Sequence, residues 1–292
     1  MTPTVWVNGH RESADATHIS ARDRGFTLAD GVFETMRVES GVVFRLDQHL
    51  ARLHRGLDVL RIPVPAEIRE WIRDACRLAP AGAASIRLTV TRGVGASGVA
   101  VAPDAEPTCI VALNAMPSFP SAIYERGLTA RVASGRRNPH SMTAGLKTIA
   151  YTDNVVAWLE AQDASADEAL FLDTDGHCSE ATASNLFACL GGTLITPPRS
   201  CGALPGITRA AVMELAAALG IAAAERELGL EDLFRAKEAF LTSSLRGIAP
   251  LVSVDARPIG DGCPGSFTRR VSAAYAELVS RDSRNHRHHR LG

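Results

Sequence analysis

The run from Glu180 to Arg209 constrains the fold of this chain more than any other stretch. It reads EATASNLFACLGGTLITPPRSCGALPGITR, in which a Gly-Gly pair separates two apolar segments. Apolar segments on either side of such a pair are typical of two strands joined by a tight turn. The Pro-Gly pair that follows predicts the start of a helix, which ends at Gly220. The run therefore predicts a glutamate-led hairpin followed at once by a helix N-terminus.

The lysine content singles out one amine. The chain has 31 lysine and arginine residues, and the lysines among them are Lys147 and Lys237. An amine can lose its proton and form a Schiff base, which a guanidinium cannot do. Lys237 lies in RAKEAFL, a pattern typical of an exposed helix, whereas Lys147 lies between a glycine-bounded loop and a predicted helix. If the chain carries amine chemistry, Lys147 is the candidate.

Composition excludes several classes of function. The net charge is -1, so no excess of charge favours nucleic acid or an anionic membrane as a partner. No apolar run approaches the roughly 20 residues that span a bilayer, and the first residues lack the pattern of a signal peptide. The six scattered cysteines form no Cys-x-x-Cys pair and indicate reduced thiols in a cytoplasmic protein. No metal site is predicted.

The first part of the chain predicts a small domain over residues 1–116. VWVNGH indicates a hairpin, and DRGFTLADGVFETMRV and SGVVFRL indicate two further strands of a meander. Apolar residues recur at helical spacing after Asp47, which suits an N-cap, and Pro63 ends this helix. A second helix over 65–78 and the strands ASIRLTVTRG and TCIVALNAM complete the domain.

The rest of the chain predicts a linker and a larger domain. Prolines and serines in residues 117–127 interrupt both periodicities, as expected of a linker. Residues 128–280 then predict a strand at LTARVASG, a helix over 148–162 and three strands after it. A helix over LEDLFRAKEAFL, strands in LTSSLRGIAPLVSVDARPI and a last helix over 265–280 complete the domain. The charged tail, 281–292, is predicted to be disordered.

The hairpin and the helix start resemble the signature of the class IV pyridoxal-phosphate aminotransferases. That signature has a glutamate, a small residue two positions later and an asparagine five positions later, followed by an aliphatic and an aromatic residue. It continues with aliphatic-x-Thr and aliphatic-x-Gly-aliphatic-x-Arg. The positions that meet it are Glu180, Thr182, Asn185, Leu186, Phe187, Leu194, Thr196, Leu204, Gly206, Ile207 and Arg209. DRGF, DGVFET and HLARL resemble early motifs of the same family, so the resemblance covers nearly the whole chain.

The resemblance implies an α+β chain of fold type IV. We expect a small N-terminal α/β sandwich-like domain and a larger C-terminal domain with a β-barrel-like core, with pyridoxal 5'-phosphate between them. Members of the family are usually homodimers. The expected partners are a small-molecule amino donor and a 2-oxo acid acceptor.

The resemblance also assigns roles to residues. Lys147 precedes Glu180 by the interval that the family leaves between its cofactor lysine and its glutamate, so it is expected to form the Schiff base and to move the substrate proton. Glu180 is expected to face the ring nitrogen of the cofactor. Free N–H groups at a helix start, with hydroxyl and guanidinium groups, suit the phosphate. The other residues expected around the cofactor are Arg52, Tyr151, Ser184, Asn185, Gly206, Ile207, Thr208 and one of Ser243 and Ser244.

The substrate side is less constrained. D-amino-acid transaminases carry Arg-x-His after a TRG strand end and a tyrosine in DGVYE, and this chain has neither, with Phe33 at the tyrosine position. The segment Phe33-Glu34-Thr35 resembles the corresponding motif of aminodeoxychorismate lyase, in which a threonine at the position of Thr35 relays a proton. That lyase usually has an arginine after TRGxG, where this chain has Ala96-Ser97-Gly98. The candidates for a replacement are Arg24 and Arg87, followed by Arg136, Arg137 and His140.

Three functions follow from these comparisons of motifs. We expect a transaminase for small amino acids or amines, with D or R configuration favoured. The alternative is aminodeoxychorismate lyase, which releases pyruvate and 4-aminobenzoate. A non-enzymatic, cofactor-binding protein on the same scaffold is disfavoured, because binding alone does not require Lys147.

Overall fold

The computed structural model describes residues 3–13, 15, 17–95, 98–102 and 105–288. The chain divides into two compact units. The first consists of Met1–Pro117, Leu146–Ala150 and Val279–Gly292, and the second of Ser118–Gly145 and Tyr151–Leu278. The short segment that carries Lys147 therefore belongs with the N-terminal part of the chain, which sequence patterns alone did not indicate.

An antiparallel sheet forms the basis of the first unit. Its strands are β1 (Thr4–Val7), β2 (His10–Ser13), β3 (Gly31–Glu39), β4 (Val42–Val43), β5 (Ala83–Thr91) and β6 (Thr108–Ala115). They lie in the order β2-β1-β6-β5-β3-β4. Asn8 and Gly9 form the predicted turn between β1 and β2, and both have positive φ, as a tight hairpin requires.

Three helices accompany this sheet. They are α1 (Arg24–Leu28), α2 (Leu46–Leu60) and α3 (Ile68–Arg77). Leu50, Leu53 and Leu57 of α2 pack in one hydrophobic core with Val32 and Met36 of β3. The helical spacing of the leucines and the alternation of β3 thus bury matching apolar faces.

Two predictions for the first unit were wrong in detail. Residues 24–28 were expected to be part of a strand, but they form a helix because the Asp23 side chain accepts a hydrogen bond from Gly25 N at its start. Helix α2 begins at Leu46, with Arg45 as its N-cap, so Asp47 lies in the first turn rather than at the cap. A carboxylate in the first turn still stabilises the helix through its interaction with the helix dipole.

The second unit contains more strands than were predicted. Its elements, in order, are α4 (Ala122–Glu125), β7 (Leu128–Arg137), α5 (Thr152–Asp163), β8 (Glu168–Asp173), β9 (Cys178–Ala181), β10 (Asn185–Leu190), β11 (Thr193–Thr196), α6 (Ile207–Ala218), β12 (Ala223–Glu225), α7 (Leu230–Arg235), β13 (Glu238–Ser243), β14 (Gly247–Val254), β15 (Arg257–Pro258) and the first part of α8 (Ser266–His288), whose residues from Val279 onward belong to the first unit. Helix α4 falls inside the predicted linker.

A closed barrel lies at the centre of this unit. Around the barrel, each strand pairs with the next in the order β10, β13, β14, β7, β8 and β9. Strand β9 then pairs with β10 through Glu180 and Asn185, which closes the barrel. Strands β11 and β12 extend the sheet from β10, and β15 pairs with β14. The expected β-barrel-like core is confirmed, and the residues that close the barrel belong to the sequence signature.

Three helix predictions in the second unit need correction. Helix α5 begins at Thr152, not at residue 148. LEDLFRAKEAFL is not one helix, because Ala236 is extended and β13 begins at Glu238. Lys237 is nevertheless exposed as expected, and its N–H donates to Cys189 O. The final helix continues from Ser266 to His288, where a disordered tail was predicted from 281.

Burial explains why the final helix continues. Ser283 is buried, and its hydroxyl donates to Val279 O. Asp282 forms an ion pair of 3.6 Å with Arg45. Residues 289–292 of the predicted tail lie outside the described residues. Within the described chain, no helix has the length and apolar character needed to cross a membrane.

Candidate active site

Lys147 is held along the edge of β3. Phe33 N donates to Lys147 O at 2.9 Å, and Ile149 N donates to Gly31 O at 3.1 Å. The Lys147 amine lies 4.5 Å from the centre of the Phe33 ring. A cation at this distance from an aromatic ring is attracted to its face. The backbone pairing therefore fixes the position of the residue, and the ring supports its amine.

The same face of the sheet carries further predicted substrate residues. Phe33 and Thr35 are two apart on β3 and so share a face, and Thr35 is paired in register with Arg87 of β5. The Arg87 guanidinium carbon lies 3.9 Å from the centre of the Phe33 ring. Arg87 is exposed, whereas Phe33 is buried. The structure thus brings together Lys147, Phe33, Thr35 and Arg87.

Arg24, the other main candidate for a substrate carboxylate, has structural partners. Its Nε donates to Asp30 Oδ2 at 2.9 Å, and its Nη1 donates to the carbonyl oxygens of Gly98 and Ala100. Burial alone would raise the pKa of Asp30, but hydrogen bonds from Arg92 and Arg24 lower it below its usual value. Arg24 therefore ties α1 to the loop after β5. The lyase positions Ala96 and Ser97 lie outside the described residues.

Arg52 belongs to a buried ionic cluster on the opposite face of β3. Its Nε and Nη2 donate to the two carboxylate oxygens of Glu34, each at 2.7 Å. His49 Nδ1 lies 2.7 Å from Glu34 Oε2. Burial opposes ionisation of Glu34, but the bonds from Arg52 and His49 prevail and lower its pKa to about 2. Burial lowers the pKa of His49, so Glu34 and Arg52 carry the charges of the cluster.

Glu180 is fixed at the start of the signature by the chain that follows it. Its Oε2 accepts a hydrogen bond from Leu204 N at 2.9 Å, and Asn185 Nδ2 lies 3.5 Å from the same oxygen. Arg137 Nε lies 3.3 Å from Oε1. The carboxylate therefore has a backbone donor on one oxygen and a cation beside the other.

Asn185 links the glutamate to the start of α6. Its Nδ2 donates to Leu204 O at 2.8 Å. Its Oδ1 lies 1.9 Å from the position that a β-carbon on Gly206 would occupy. Glycine is thus required at 206 because of the close approach of Asn185. Glu180, Asn185 and Gly206 of the signature thus form one contact unit.

Gly206 is the N-cap of α6, and as a glycine it has no side chain that could cap the helix. The first N–H groups of a helix have no partner within it and attract anions. Thr208, in the first turn, is buried, and its hydroxyl lies 3.4 Å from the Tyr275 hydroxyl. The helix start predicted at Gly206, Ile207 and Thr208 is therefore present, with the donors that a phosphate needs.

The remaining signature residues support the fold. Thr196 Oγ1 donates to Leu186 O at 2.8 Å and accepts from Arg209 Nε at 3.1 Å. Arg209 also donates to Pro197 O and forms an ion pair with Glu225. These bonds connect β10, β11 and α6. Arg209 and Thr196 thus hold the helix against the sheet.

The predicted serines differ in their surroundings. Ser243 Oγ accepts from Arg246 N at 3.3 Å and so closes the turn between β13 and β14. Ser244 is half-buried, and its hydroxyl makes no hydrogen bond within the described part of the chain. Ser184 is buried in the turn between β9 and β10, where its carbonyl accepts from Ala181 N. Tyr151 is half-buried at the N-cap of α5.

Arg137 has a place that the sequence did not indicate. It was one of several candidates for a substrate carboxylate, but it lies beside Glu180 with its guanidinium carbon 4.0 Å from the centre of the Phe171 ring. Its Nη1 donates to Asn154 Oδ1 at 3.4 Å. The sequence analysis assigns no role to Asn154, which is buried on the same side of α5 as Ala157 and Ala161. A polar residue at helical spacing from these alanines is the signal that the sequence contains. Among the described residues, no group of acidic, histidine and cysteine side chains suits a metal ion.

Comparisons with known proteins agree over most of the chain. A family model described as amino-transferase class IV matches residues 31–254. The branched-chain-amino-acid aminotransferase of Escherichia coli strain K12 is 32% identical over 288 residues, covering 94% of this chain and 93% of that protein. A crystal structure of Escherichia coli branched-chain amino acid aminotransferase has a TM-score of 0.89 at 31% identity and 94% coverage of each chain. That of 4-amino-4-deoxychorismate lyase from Pseudomonas aeruginosa has a TM-score of 0.83 at 33% identity, covering 92% of this chain and 97% of that one.

Proposed function

This chain belongs to the class IV aminotransferase family, of fold type IV, whose members use pyridoxal 5'-phosphate, and from that premise we propose the roles of its residues. We propose that Lys147 is the catalytic residue of a transaminase acting on an aliphatic amino acid and a 2-oxo acid. The observation that carries this assignment is the pairing of Lys147 with β3, which places its amine beside Phe33. An amine fixed in this way is suited to covalent chemistry.

The donor groups of the chain fit the cofactor. When bound, pyridoxal 5'-phosphate supplies a carbonyl that takes up the amino group and a ring that accepts electrons from the substrate. The Glu180 carboxylate, held by Leu204 N, suits a protonated ring nitrogen. The uncapped start of α6 suits the phosphate, and Gly206 leaves room for Asn185 behind it. The Lys147 amine would hold the cofactor and would move the proton at the substrate α-carbon.

Several further residues complete the proposed cofactor site. Ser244 is preferred to Ser243 for the phosphate, since the Ser243 hydroxyl already closes a turn. Arg52 is proposed to contact the phosphate, and Glu34 holds the Arg52 guanidinium in place through two hydrogen bonds. Tyr151 is assigned to the ring hydroxyl. Asn185 positions Glu180 and the helix start, and Ser184 shapes the turn between β9 and β10, so both act through neighbouring groups.

Arg87 is the proposed contact for the substrate carboxylate. It lies over Phe33 on the face that carries Lys147, whereas Arg24 is buried against Asp30. The named relatives are branched-chain aminotransferases, and we infer an aliphatic donor of that kind. A donor of D or R configuration is the competing proposal for the stereochemistry. Phe33 would contact the side chain of either donor.

A lyase is the second candidate, because one specific observation favours it. The lyase structure from Pseudomonas aeruginosa is 33% identical to this chain. Thr35 is at the position of the proton-relaying threonine of such lyases. It lies on the same sheet face as Lys147 and is paired with Arg87 on the neighbouring strand. Elimination of pyruvate would use Lys147 and Glu180 in the same positions as transamination does.

The first experiment tests Lys147 against the other lysine. Purified protein loaded with pyridoxal 5'-phosphate is reduced with borohydride, and the labelled peptide is identified by mass spectrometry. We expect the label on Lys147 in the wild type and in Lys237→Ala, and no label in Lys147→Ala. Because Lys237 is exposed, its variant is the matched control. A label on Lys237, or none in the wild type, would reject the assignment.

The second experiment tests the reaction. Loaded protein is mixed separately with L-leucine, D-alanine and an (R)-arylamine, and the visible absorption of the cofactor is followed. We expect bleaching with L-leucine, as the named relatives indicate. Bleaching with D-alanine or the arylamine alone would establish the D or R proposal. If no donor bleaches the absorption but aminodeoxychorismate yields pyruvate, the lyase is correct.

We also infer a homodimer and a cytoplasmic location. The homodimer rests on the family, and sedimentation of the purified protein tests it. The location rests on the cysteines, all six of which are free in the structure. Reduced thiols are the rule in the cytoplasm. Detection of the protein in a periplasmic or secreted fraction would contradict this inference.

A further inference from the structure

We propose that Arg137 is the positioning residue of Glu180, and that its charge sets the proton affinity of the groups that this carboxylate faces. The proposal rests on the proposed function, in which Glu180 faces the ring nitrogen of the cofactor. Arg137 acts through Glu180 and not by contact with the substrate. Its proposed role therefore differs from the substrate-binding role considered from sequence.

The structure holds the Arg137 side chain from several directions. It lies at the end of β7, with its guanidinium carbon 4.0 Å from the centre of the Phe171 ring. Its Nη1 donates to Asn154 Oδ1 at 3.4 Å. Gly202 lies close to its stem, since a β-carbon there would be 3.3 Å from the Arg137 Cβ. A guanidinium stacked on a ring and bonded at its edge has few alternative positions.

The contact with Glu180 acts mainly through charge. Arg137 Nε lies 3.3 Å from Glu180 Oε1, yet this buried nitrogen has no aligned hydrogen bond within the described residues. By contrast, Leu204 N donates a hydrogen bond of 2.9 Å to Oε2. The hydrogen bond from Leu204 N to Oε2 thus fixes the orientation of the Glu180 carboxylate. The positive charge of Arg137 lies beside Oε1, in a partly buried site.

This arrangement has a definite electrostatic sign. A positive charge lowers the pKa of titrating groups close to it. Arg137 places such a charge beside the Glu180 carboxylate, and it therefore weakens the hold of that carboxylate on a proton of the group that it faces. Removing the charge while keeping the volume must raise the pH at which the loaded site titrates.

The test is a pH titration of the visible absorption of the loaded protein. Arg137→Met is expected to raise the midpoint by about one pH unit, as expected when a charge a few ångströms away is removed. Arg137→Lys retains the charge, so its midpoint is expected to lie close to that of the wild type. Arg136→Met is the matched control. It removes the same charge one residue earlier, where the exposed side chain donates to Ala133 O and Gly135 O.

Each outcome decides the proposal. Equal midpoints for Arg137→Met and Arg136→Met would overturn it, and so would an Arg137→Lys midpoint as high as that of Arg137→Met. If Arg137→Met does not fold, Arg137→Gln replaces it with the same expectation. A wild type that carries no cofactor on Lys147 would overturn the proposed function as well. A loaded protein whose midpoint moves in Glu180→Gln but not in Arg137→Met would overturn only this inference.

Discussion

The side-chain oxygen of Asn185 lies 1.9 Å from the position that a β-carbon on Gly206 would need. Gly206 has φ of -67°, an ordinary value for any residue, so its backbone conformation does not require glycine. Glycine is needed there for space. The asparagine cannot move away cheaply, because its amide also donates to Leu204 O.

Gly206→Ala should therefore weaken cofactor retention. The added methyl group must displace Asn185, and with it the Leu204 segment that bonds Glu180. We expect the dissociation constant of the cofactor to rise at least about tenfold, equivalent to a loss of roughly 1.4 kcal/mol. The measurement is cofactor absorption per mole of protein.

Gly135→Ala is the matched control for this prediction. No atom lies within 4 Å of a β-carbon built on Gly135, which is also in the second unit. It should retain cofactor as the wild type does. Equal retention by Gly206→Ala would show that Asn185 has room to shift.

Arg209→Met should destabilise the protein rather than change its chemistry. The substitution leaves Thr196 Oγ1 and Pro197 O without their buried donor. An unsatisfied buried polar group costs about 1–3 kcal/mol, so the thermal midpoint should fall by several degrees. Turnover per loaded site should change little. Glu225→Gln is the control, because Glu225 is 45% exposed and its pair should contribute less than about 1 kcal/mol.

The residues of the signature could be predicted because their spacing is local. Glu180 and Asn185 face each other across a tight turn, and Gly206 follows β10 and β11 in the same motif. The barrel was also expected, through the resemblance. The grouping of Lys147 with β3 could not be predicted, because it depends on a pairing between distant segments. Sequence periodicity carries no information on such pairings.

The roles of the arginines were equally hidden. Arg24, Arg87 and Arg137 look alike in sequence, and each was a candidate for the same carboxylate. Their partners decide between them, and these partners are distant in the chain. Similarly, AKEAF suits a helix, yet burial of Ala239 and Phe240 in the barrel favours a strand. Tertiary packing overrides a weak local preference.

Glu34→Gln should destabilise the first unit strongly at neutral pH. It removes the buried charge opposite Arg52, and breaking such a pair costs about 3–5 kcal/mol. Denaturant unfolding followed by tryptophan fluorescence measures the loss, with Trp158 replaced by phenylalanine so that the signal comes from Trp6 and Trp71 of the first unit. Glu39→Gln, whose partner Arg37 is 27% exposed, should cost less than about 1 kcal/mol.

The effect of Glu34→Gln should depend on pH in one direction. The pKa of Glu34 is about 2 in the folded chain and near 4.5 otherwise. A depressed pKa of an acid stabilises the fold above the ordinary value, and this contribution is lost as the pH falls toward the folded value. The difference between wild type and variant should therefore narrow from pH 4.5 to about 2. A constant difference would show that Glu34 is not ionised in the fold.

Arg87→Met should change substrate binding, whereas Arg24→Met should change stability. Arg87 is exposed beside Phe33, so its loss should raise the KM for the 2-oxo acid and leave the thermal midpoint nearly unchanged. A lost charged hydrogen bond is worth about 1.5–3 kcal/mol, or roughly 10- to 100-fold in KM. Arg24 is buried against Asp30 and the 98–100 loop, so its loss should lower the thermal midpoint.

Steady-state kinetics with thermal melts of both variants separates these roles. Because both substitutions remove one positive charge and introduce the same side chain, a change due only to net charge would appear in both. A raised KM in Arg24→Met with an unchanged melting temperature would reverse the assignment. Arg87→Lys provides a further check, since it retains the charge but lacks the planar fork that binds a carboxylate through two bonds. We expect it to recover only part of the lost KM.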